Sequence, residues 1–324
     1  MTVRSLLSIL ADGKFHSGQE LGDSLGISRS AIWKHMRRLE ESGLELYSVK
    51  GRGYRVPGGL DLLDMDELRA GMHVLALNQL GEIELHLSTA STNLLAMQAT
   101  QKGNCHGRLY IAEQQTAGRG RRGREWVSPF ARNLYFSLVW RFEQGVAALE
   151  GLSLVVGLSI VKALERLNIE GVQLKWPNDL LYEQKKLAGI LLEMTGEASG
   201  ECQVVIGVGV NVSMPAASGE DIDQPWVDLE SISAEPLSRN QILAAILDQL
   251  VQSLNDFELG GFSQSLDEWQ SYNAHQGKDI VLQVGNEVVE GICRGVDSSG
   301  ALLLESAQGI AAYHGGEISI QRSL

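Results

Sequence analysis

Gly118-Arg119-Gly120-Arg121-Arg122-Gly123-Arg124 puts four arginines and three glycines into seven residues. Such a stretch makes neither a packed helix nor a strand. The guanidinium groups repel one another, and glycine raises the entropic cost of ordering. The flanking runs, Leu109–Gln114 and Asn133–Trp140, read as strands, so the segment is a cationic loop between two pieces of sheet. Glycines free backbone N–H groups and arginines add forked donors, a combination suited to gripping an anion. Gln114-Gln115 precede the loop and Trp126 follows it.

Charge distribution narrows the anion. The 324-residue chain carries a net charge of −13, but residues 1–57 hold nine Lys/Arg against six Asp/Glu, leaving 18 against 34 for the rest. A strongly acidic surround disfavours a broad nucleic-acid surface at the loop and favours a compact anion such as a nucleotide phosphate. DNA contact is expected only from the basic N-terminal part. The length suits two or three domains, and 44% hydrophobic with 21% charged residues is ordinary for a globular chain. The longest apolar run, around 152–161, is too short to cross a bilayer, and Met1-Thr2-Val3-Arg4 does not open a signal peptide. Cys105, Cys202 and Cys293 are odd in number and widely spaced, which argues against disulfides or a metal site. A cytoplasmic protein with no membrane partner is expected.

In the N-terminal part, Leu6, Leu7 and Leu10 give a short helical stripe. Ser17 opens a second helix, Gly26-Ile27 turns, and Ser28 caps a third helix running to about Ser42. On that helix Ile32, Met36 and Leu39 face a core, while Arg29, Ser30, Trp33, Lys34 and Arg37 face away, the layout of a helix-turn-helix recognition helix. Leu46–Val49 and Tyr54–Val56 bracket a basic tip containing Lys50 and Arg52, which reads as a wing. Pro57-Gly58-Gly59 ends the module, and Leu60–Leu68 reads as a hinge.

Three further motifs lie near the arginine loop in sequence order. Ser91-Thr92-Asn93 precedes an apolar helical run and marks a helix N-terminus with free N–H groups. Lys175-Trp176-Pro177-Asn178-Asp179 ends a strand and turns, and a return strand begins near Lys186. Lys186 enters an apolar strand, with Ala188 expected on the same face leaving room beside the ammonium, and Lys185 free to carry the solvated charge. In Val204–Val212 the period of two puts Ile206, Val208, Val210 and Val212 in the core and Gly207, Gly209 and Asn211 on the opposite face, a flat slot for a ligand. Arg239–Leu259 reads as an amphipathic helix, and residues 278–324 alternate short apolar runs with turns, a small β-barrel pattern.

Together, Ser91-Thr92-Asn93, the arginine–glycine loop, Lys175–Asp179, Lys186–Leu192 and Gly207–Asn211 resemble the biotin protein ligases in order and spacing. With the winged helix in front, the whole chain resembles the bifunctional ligase–repressors of that family. The resemblance implies an α+β fold in three parts: a winged helix-turn-helix (1–60), a mixed α/β ligase domain of the biotin/lipoate type (61–272) and an SH3-like barrel (273–324). It implies that ATP and biotin are substrates, with Mg²⁺ accompanying ATP, and that biotinyl-5′-AMP is made and its acyl group passed to a lysine of biotin carboxyl carrier protein. It implies a homodimer on adenylate binding that occupies the operator of biotin-synthesis genes.

On the same resemblance, Lys186 and Arg121 are catalytic, Lys186 stabilising the carboxylate and α-phosphate. Ser91, Thr92, Asn93 and Gln115 bind the ureido head of biotin, with Arg119, Gly120, Gly207 and Gly209 around the rest. Arg119 and Arg121 cover the adenylate, and Arg122 and Arg124 steer phosphates. Asn178 and Asn211 meet the nucleotide, Trp126 and Trp226 stack around it, and Asp179 orients the cluster or the acceptor lysine. A lipoate ligase on the same fold fits the loop and the winged helix less well. A ligand sensor with a dead enzyme domain fits poorly with an intact Lys186 and Arg121.

Overall fold

A computed structural model of the protein describes residues 2–320, apart from 144, 146–148, 197–199 and 221. The N-terminal module is α1 (Thr2–Leu10), α2 (Gly18–Leu25), α3 (Arg29–Glu41) and a hairpin of β1 (Tyr47–Val49) and β2 (Gly53–Arg55). Ser17 and Glu20 exchange side-chain and backbone bonds in a capping box that starts α2, and Gly26, at φ 66°, ends it in the left-handed region. Ser28 caps α3. Leu6, Leu7, Leu10, Ile32, Met36 and Leu39 are buried together as the stripes require.

The segment read as a hinge is instead strapped to the next domain. Arg239, 2% exposed, pairs with Glu113 at 2.7 Å, also 2% exposed, and its Nε donates to Asp61 O at 2.7 Å. The other Glu113 oxygen accepts the Leu63 N–H at 2.7 Å, and Asn240 brackets Leu62 O and Asp64 N. A buried ion pair tolerates its desolvation only when its remaining donors and acceptors are used, and here they are used on the connecting chain. Asp64 then caps α4 (Met65–Gly71). Periodicity cannot reveal such a strap, since Arg239 and Glu113 are 126 residues apart.

The central domain is built on seven strands: β3 (Ile83–His86), β4 (Leu109–Ala112), β5 (Leu134–Phe142), β6 (Gln173–Lys175), β7 (Asp179–Tyr182), β8 (Lys185–Gly196) and β9 (Cys202–Val210). Their order is β3-β4-β5-β9-β8-β7-β6, antiparallel except for the β3–β4 pair. The helices are α5 (Val74–Gln79), α6 (Thr92–Thr100), α7 (Leu152–Arg166), α8 (Ala216–Gly219), α9 (Leu229–Ile232), α10 (Arg239–Gly260) and α11 (Leu266–Ser271). Ile206, Val208 and Val210 pack with α7 and α10 in the main core, each burial contributing roughly 2 kcal/mol. On the opposite face Ala96 of α6 packs with Tyr110, Val139 and Val205. Phe130 and Ala131, just beyond the arginine loop, belong to the core of the N-terminal module, and Gln114, just before it, donates to Ser42 O at 2.5 Å. The loop is thus fixed at both ends against the winged helix.

The C-terminal unit is an antiparallel sheet of β10 (Asp279–Val284), β11 (Glu287–Val296), β12 (Leu302–Ser306), β13 (Gly309–Tyr313) and β14 (Glu317–Ile320), ordered β13-β12-β11-β10-β14. The apolar runs mark the first four strands; β14 goes unnoticed, and residues 321–324 of the expected barrel lie outside the described residues. The unit joins the central domain where Leu174 exchanges backbone bonds with Tyr272 and Ala274, and where Trp176 Nε1 donates to Gly300 O at 2.9 Å. Among the described residues no helix is long and apolar enough to cross a membrane.

Candidate functional site

A cavity of about 560 Å³ lies where β8 and β9 meet the arginine loop and the start of β14. That is the size range of pockets for small organic ligands. Every residue expected at a biotin or nucleotide site lines it: Ser91 to Asn93, Gln115, the loop arginines with Gly120, Trp126, Asn178, Lys186, Gly207, Gly209, Asn211 and Trp226.

One corner is a hydrogen-bonded cluster at the N-terminus of α6. Ser91 caps the helix, its Oγ accepting from Leu94 N at 3.5 Å. Thr92 donates to Gln115 Oε1 through its N–H at 2.9 Å and its hydroxyl at 3.2 Å. Asn93 Nδ2 donates to Glu193 at 2.8 Å, and Ser137 on β5 donates to Asn93 Oδ1 at 2.5 Å. The two glycines of β9 do not form an open slot. A Cβ at Gly207 would lie 2.0 Å from Asn93 Oδ1, and one at Gly209 would lie 2.5 Å from the Trp126 indole. Their missing side chains let Asn93 and Trp126 sit flat on the sheet, so the close approach is by protein groups.

The arginine loop is an ordered turn. Arg119 and Glu125 form a bridge, Trp126 N donates to Gly118 O at 3.0 Å, and Arg122 takes φ 56°. All four arginines have partners: Arg119 pairs with Glu193 at 3.1 Å, Arg121 donates to Asn178 Oδ1 at 2.8 Å, and Arg122 and Arg124 share Glu317 at 3.3 and 2.5 Å. Two of the protein's own carboxylates, Glu193 and Glu317, thus pair with three of the four arginines. Burial pushes the Glu317 carboxyl up, but the hydrogen bond and charge of Arg124, with Arg122 and Lys175, outweigh it and hold the group below the usual range. Burial likewise draws the Arg121 guanidinium down, and it stays cationic at neutral pH.

Lys186 stands opposite. Its Nζ is 2.8 Å from Asp179 Oδ1 and 5.5 Å from the Trp126 ring centroid, and both ion-pair partners are largely buried. Ala188 does not share its face. Leu180 pairs with Ala188 but Leu181 pairs with Lys186, so Leu187 is an extra residue, a β-bulge that breaks the period of two. Leu187 and Ala188 both go into the main core, and Gly189 makes the room beside the lysine stem. The Lys186 backbone is clasped by Pro225 and Val227, with Trp226 between them lining the cavity. Asn211 Nδ2 donates to Lys186 O and Val227 O at 3.3 and 3.1 Å, and Asn178 Nδ2 to Ile190 O at 2.9 Å. Both asparagines therefore staple the cavity wall with their amide nitrogens. Burial lowers the Lys175 ammonium pKa, despite Asp179 nearby.

Sequence reading does not single out Ser137, Glu193 and Glu317. Ser137 is a hydroxyl between the apolar Phe136 and Leu138 of β5, and Glu193 a carboxylate between Leu192 and Met194 of β8; a search for polar residues flanked by apolar ones within strands would find both. Glu317 carries no local signal, because tertiary packing alone brings it to the loop.

On the N-terminal module Arg29, Ser30, Trp33, Lys34 and Arg37 are all exposed, Trp33 by 50%. Arg37 pairs with Glu41 at 3.2 Å and lies over Trp33. Lys50 and Arg52 are exposed at the hairpin tip, Arg52 resting 4.1 Å above the Phe15 ring.

The pattern of the biotin/lipoate A/B protein ligase family matches residues 87–211, a helix-turn-helix pattern matches 2–55, and the biotin protein ligase C-terminal domain matches 275–320. The chain is 40% identical to the bifunctional ligase/repressor BirA of Salmonella typhimurium, over 98% of this chain and 97% of that one. It is 30% identical to the Bacillus subtilis protein of the same name, over 96% and 95%. The biotin protein ligase of Aquifex aeolicus, solved in complex with biotin and ATP, superposes with a TM-score of 0.63 at 28% identity, covering 75% of this chain and 99% of that one. A winged helix in front of a lysine-and-arginine cavity, matched over nearly its full length, places the chain in the biotin protein ligase family, among the members that bear a DNA-binding module.

Proposed function

We propose that the protein attaches biotin to a lysine of biotin carboxyl carrier protein in two steps and that its adenylate-bound dimer represses biotin-synthesis genes. The observation that carries the enzymatic reading is the gathering of Lys186 and Arg119 to Arg124 around one cavity whose opposite corner is the Thr92–Gln115 cluster. In the first step a carboxylate oxygen of biotin attacks the α-phosphorus of ATP, the bond to the bridging β-oxygen breaks, and pyrophosphate leaves. Two anions must meet, so fixed positive charge at the point of attack lowers the barrier. Lys186 supplies it, with Asp179 holding the ammonium in place at 2.8 Å. In the second step the neutral amine of the carrier lysine attacks the acyl carbon, AMP departs, and a proton is released as the amide forms.

Mg²⁺ is expected with ATP. It would be carried largely on phosphate oxygens and water; among the described residues no three His, Cys, Asp or Glu side chains are grouped to hold a metal. The exposed Arg29, Ser30, Trp33, Lys34, Arg37, Lys50 and Arg52 would meet operator DNA, in a cytoplasmic protein divided near residues 60 and 272. The test is to incubate the protein with biotin, ATP and a carrier domain and weigh the carrier. Addition of one biotinyl group is expected; an unchanged mass refutes the enzymatic reading. Sedimentation with biotin and ATP tests the dimer, which must gain population.

A further inference from the structure

Thr92, Ser137, Asn93 and Glu193 form a line of hydrogen bonds running from the cavity into the sheet, and its polarity is fixed at the far end. Glu193 Oε2 and Leu191 O, acceptors only, lie 2.8 and 3.3 Å from Asn93 Nδ2, so the amide nitrogen faces them. Asn93 Oδ1 is thereby turned on Ser137, 2.5 Å away, and takes its hydroxyl proton. Ser137 Oγ then offers only lone pairs to Thr92 Oγ1 at 2.7 Å. On the other side of Thr92 stands Gln115 Oε1 at 3.2 Å, its orientation set by the Thr92 N–H that donates to it at 2.9 Å. Both protein neighbours of the Thr92 hydroxyl therefore accept. Its single proton is taken whichever it chooses, and what Thr92 Oγ1 presents to the cavity is a lone pair.

We propose that Ser137 and Glu193 are positioning residues that set Thr92 as a hydrogen-bond acceptor, so that the site selects a ligand bearing an N–H at that point and rejects one bearing an oxygen there. The inference rests on biotin as the ligand, whose ureido ring has two N–H groups. Enclosure sharpens the selection: Ser137 is fully buried, Thr92 is 3% exposed and Asn93 4%. In such surroundings an acceptor facing an acceptor finds no solvent donor to relieve it. Arg119, 3.3 and 3.1 Å from the two Glu193 oxygens, keeps the carboxylate over Asn93. Gly207 keeps Asn93 seated, since a Cβ would displace its amide.

The probes are biotin and its two oxazolidinone analogues, in each of which one ring N–H is replaced by oxygen. They are titrated by calorimetry into the wild-type chain, Ser137→Ala and Glu193→Ala. Wild type is expected to bind one analogue at least about 100-fold more weakly than biotin. Ser137→Ala frees the relay and narrows that ratio about tenfold. Glu193→Ala removes the shorter of the two acceptors that hold Asn93, leaving Leu191 O, and narrows the ratio by a smaller but measurable factor, while thermal unfolding stays cooperative in both. Glu193 is partly exposed, which guards against the case where Ser137→Ala does not fold. An unchanged ratio in whichever variant folds overturns the relay, as does a wild type that takes both analogues as well as it takes biotin. A wild type that binds no biotin at all overturns the ligase reading instead.

Discussion

His275 makes the joint between the central domain and the C-terminal unit sensitive to acid. It is 2% exposed, its Nδ1 has no hydrogen-bond partner among the described residues, and its neighbours include Lys175 and Lys278. Burial first, then these two ammonium groups, draws its pKa from 6.5 to about 4. The unfolded chain thus takes up a proton that the folded chain refuses. Stability from this group is complete above pH 6.5 and is lost as the pH falls towards 4. Between those two pKa values each step of one in pH removes about 1.4 kcal/mol, so the loss is about 2 kcal/mol by pH 5 and about 3 kcal/mol once both states are protonated. The perturbation is His275→Leu, which keeps the bulk and removes the proton site. Denaturant unfolding of both proteins, followed by tryptophan fluorescence, is compared at pH 7.5 and pH 5. Relative to wild type, the leucine variant should gain about 2 kcal/mol between the two pH values. If the difference between the proteins is the same at both pH values, His275 is not held neutral by its burial and the account of the joint is wrong.

Lys186→Ala should cut adenylate formation by at least about a hundredfold, read as pyrophosphate release, because the cavity loses its central cation; near-normal release would remove Lys186 from the mechanism. Gly207→Ala would place a Cβ 2.0 Å from Asn93 Oδ1 and should weaken biotin binding by more than about tenfold while secondary structure by circular dichroism is kept; unaltered affinity would show that the notch is not needed. Arg121→Gly removes the bond to Asn178 that pins the loop to the turn after β6, and should raise the dissociation rate of the adenylate. A rate equal to that of wild type would deny the loop its retaining role.

Much of this architecture is legible in the sequence because local chemistry and tertiary packing agree. The cap at Ser28 and the stripe Ile32, Met36, Leu39 specify the recognition helix by themselves. The alternation in Val204–Val212 predicts correctly which face of β9 is core. Sequence reading fails where one extra residue or one distant partner decides. Leu187 as a bulge turns Ala188 away from Lys186, and a period of two cannot announce its own interruption. The glycines of β9 mark a close approach, but the sequence does not say what approaches. Leu60–Leu68 reads as a hinge because the restraint on its first half, Arg239, comes from the far end of the domain in sequence.

The loop carboxylates have a consequence for ionic strength. A bare cluster of four arginines would bind polyanions by shedding mobile counterions, with the steep salt dependence that follows. Here Glu193 and Glu317 are tethered counterions. An incoming phosphate at Arg122 and Arg124 exchanges with Glu317, and few salt ions are released to solution. Affinity at this cavity should therefore vary with salt less than the arginine count suggests. Long nucleic-acid backbones, which could not reach past the carboxylates, would gain little there. The cationic loop can sit in an acidic protein beside a DNA-binding module without competing for its DNA.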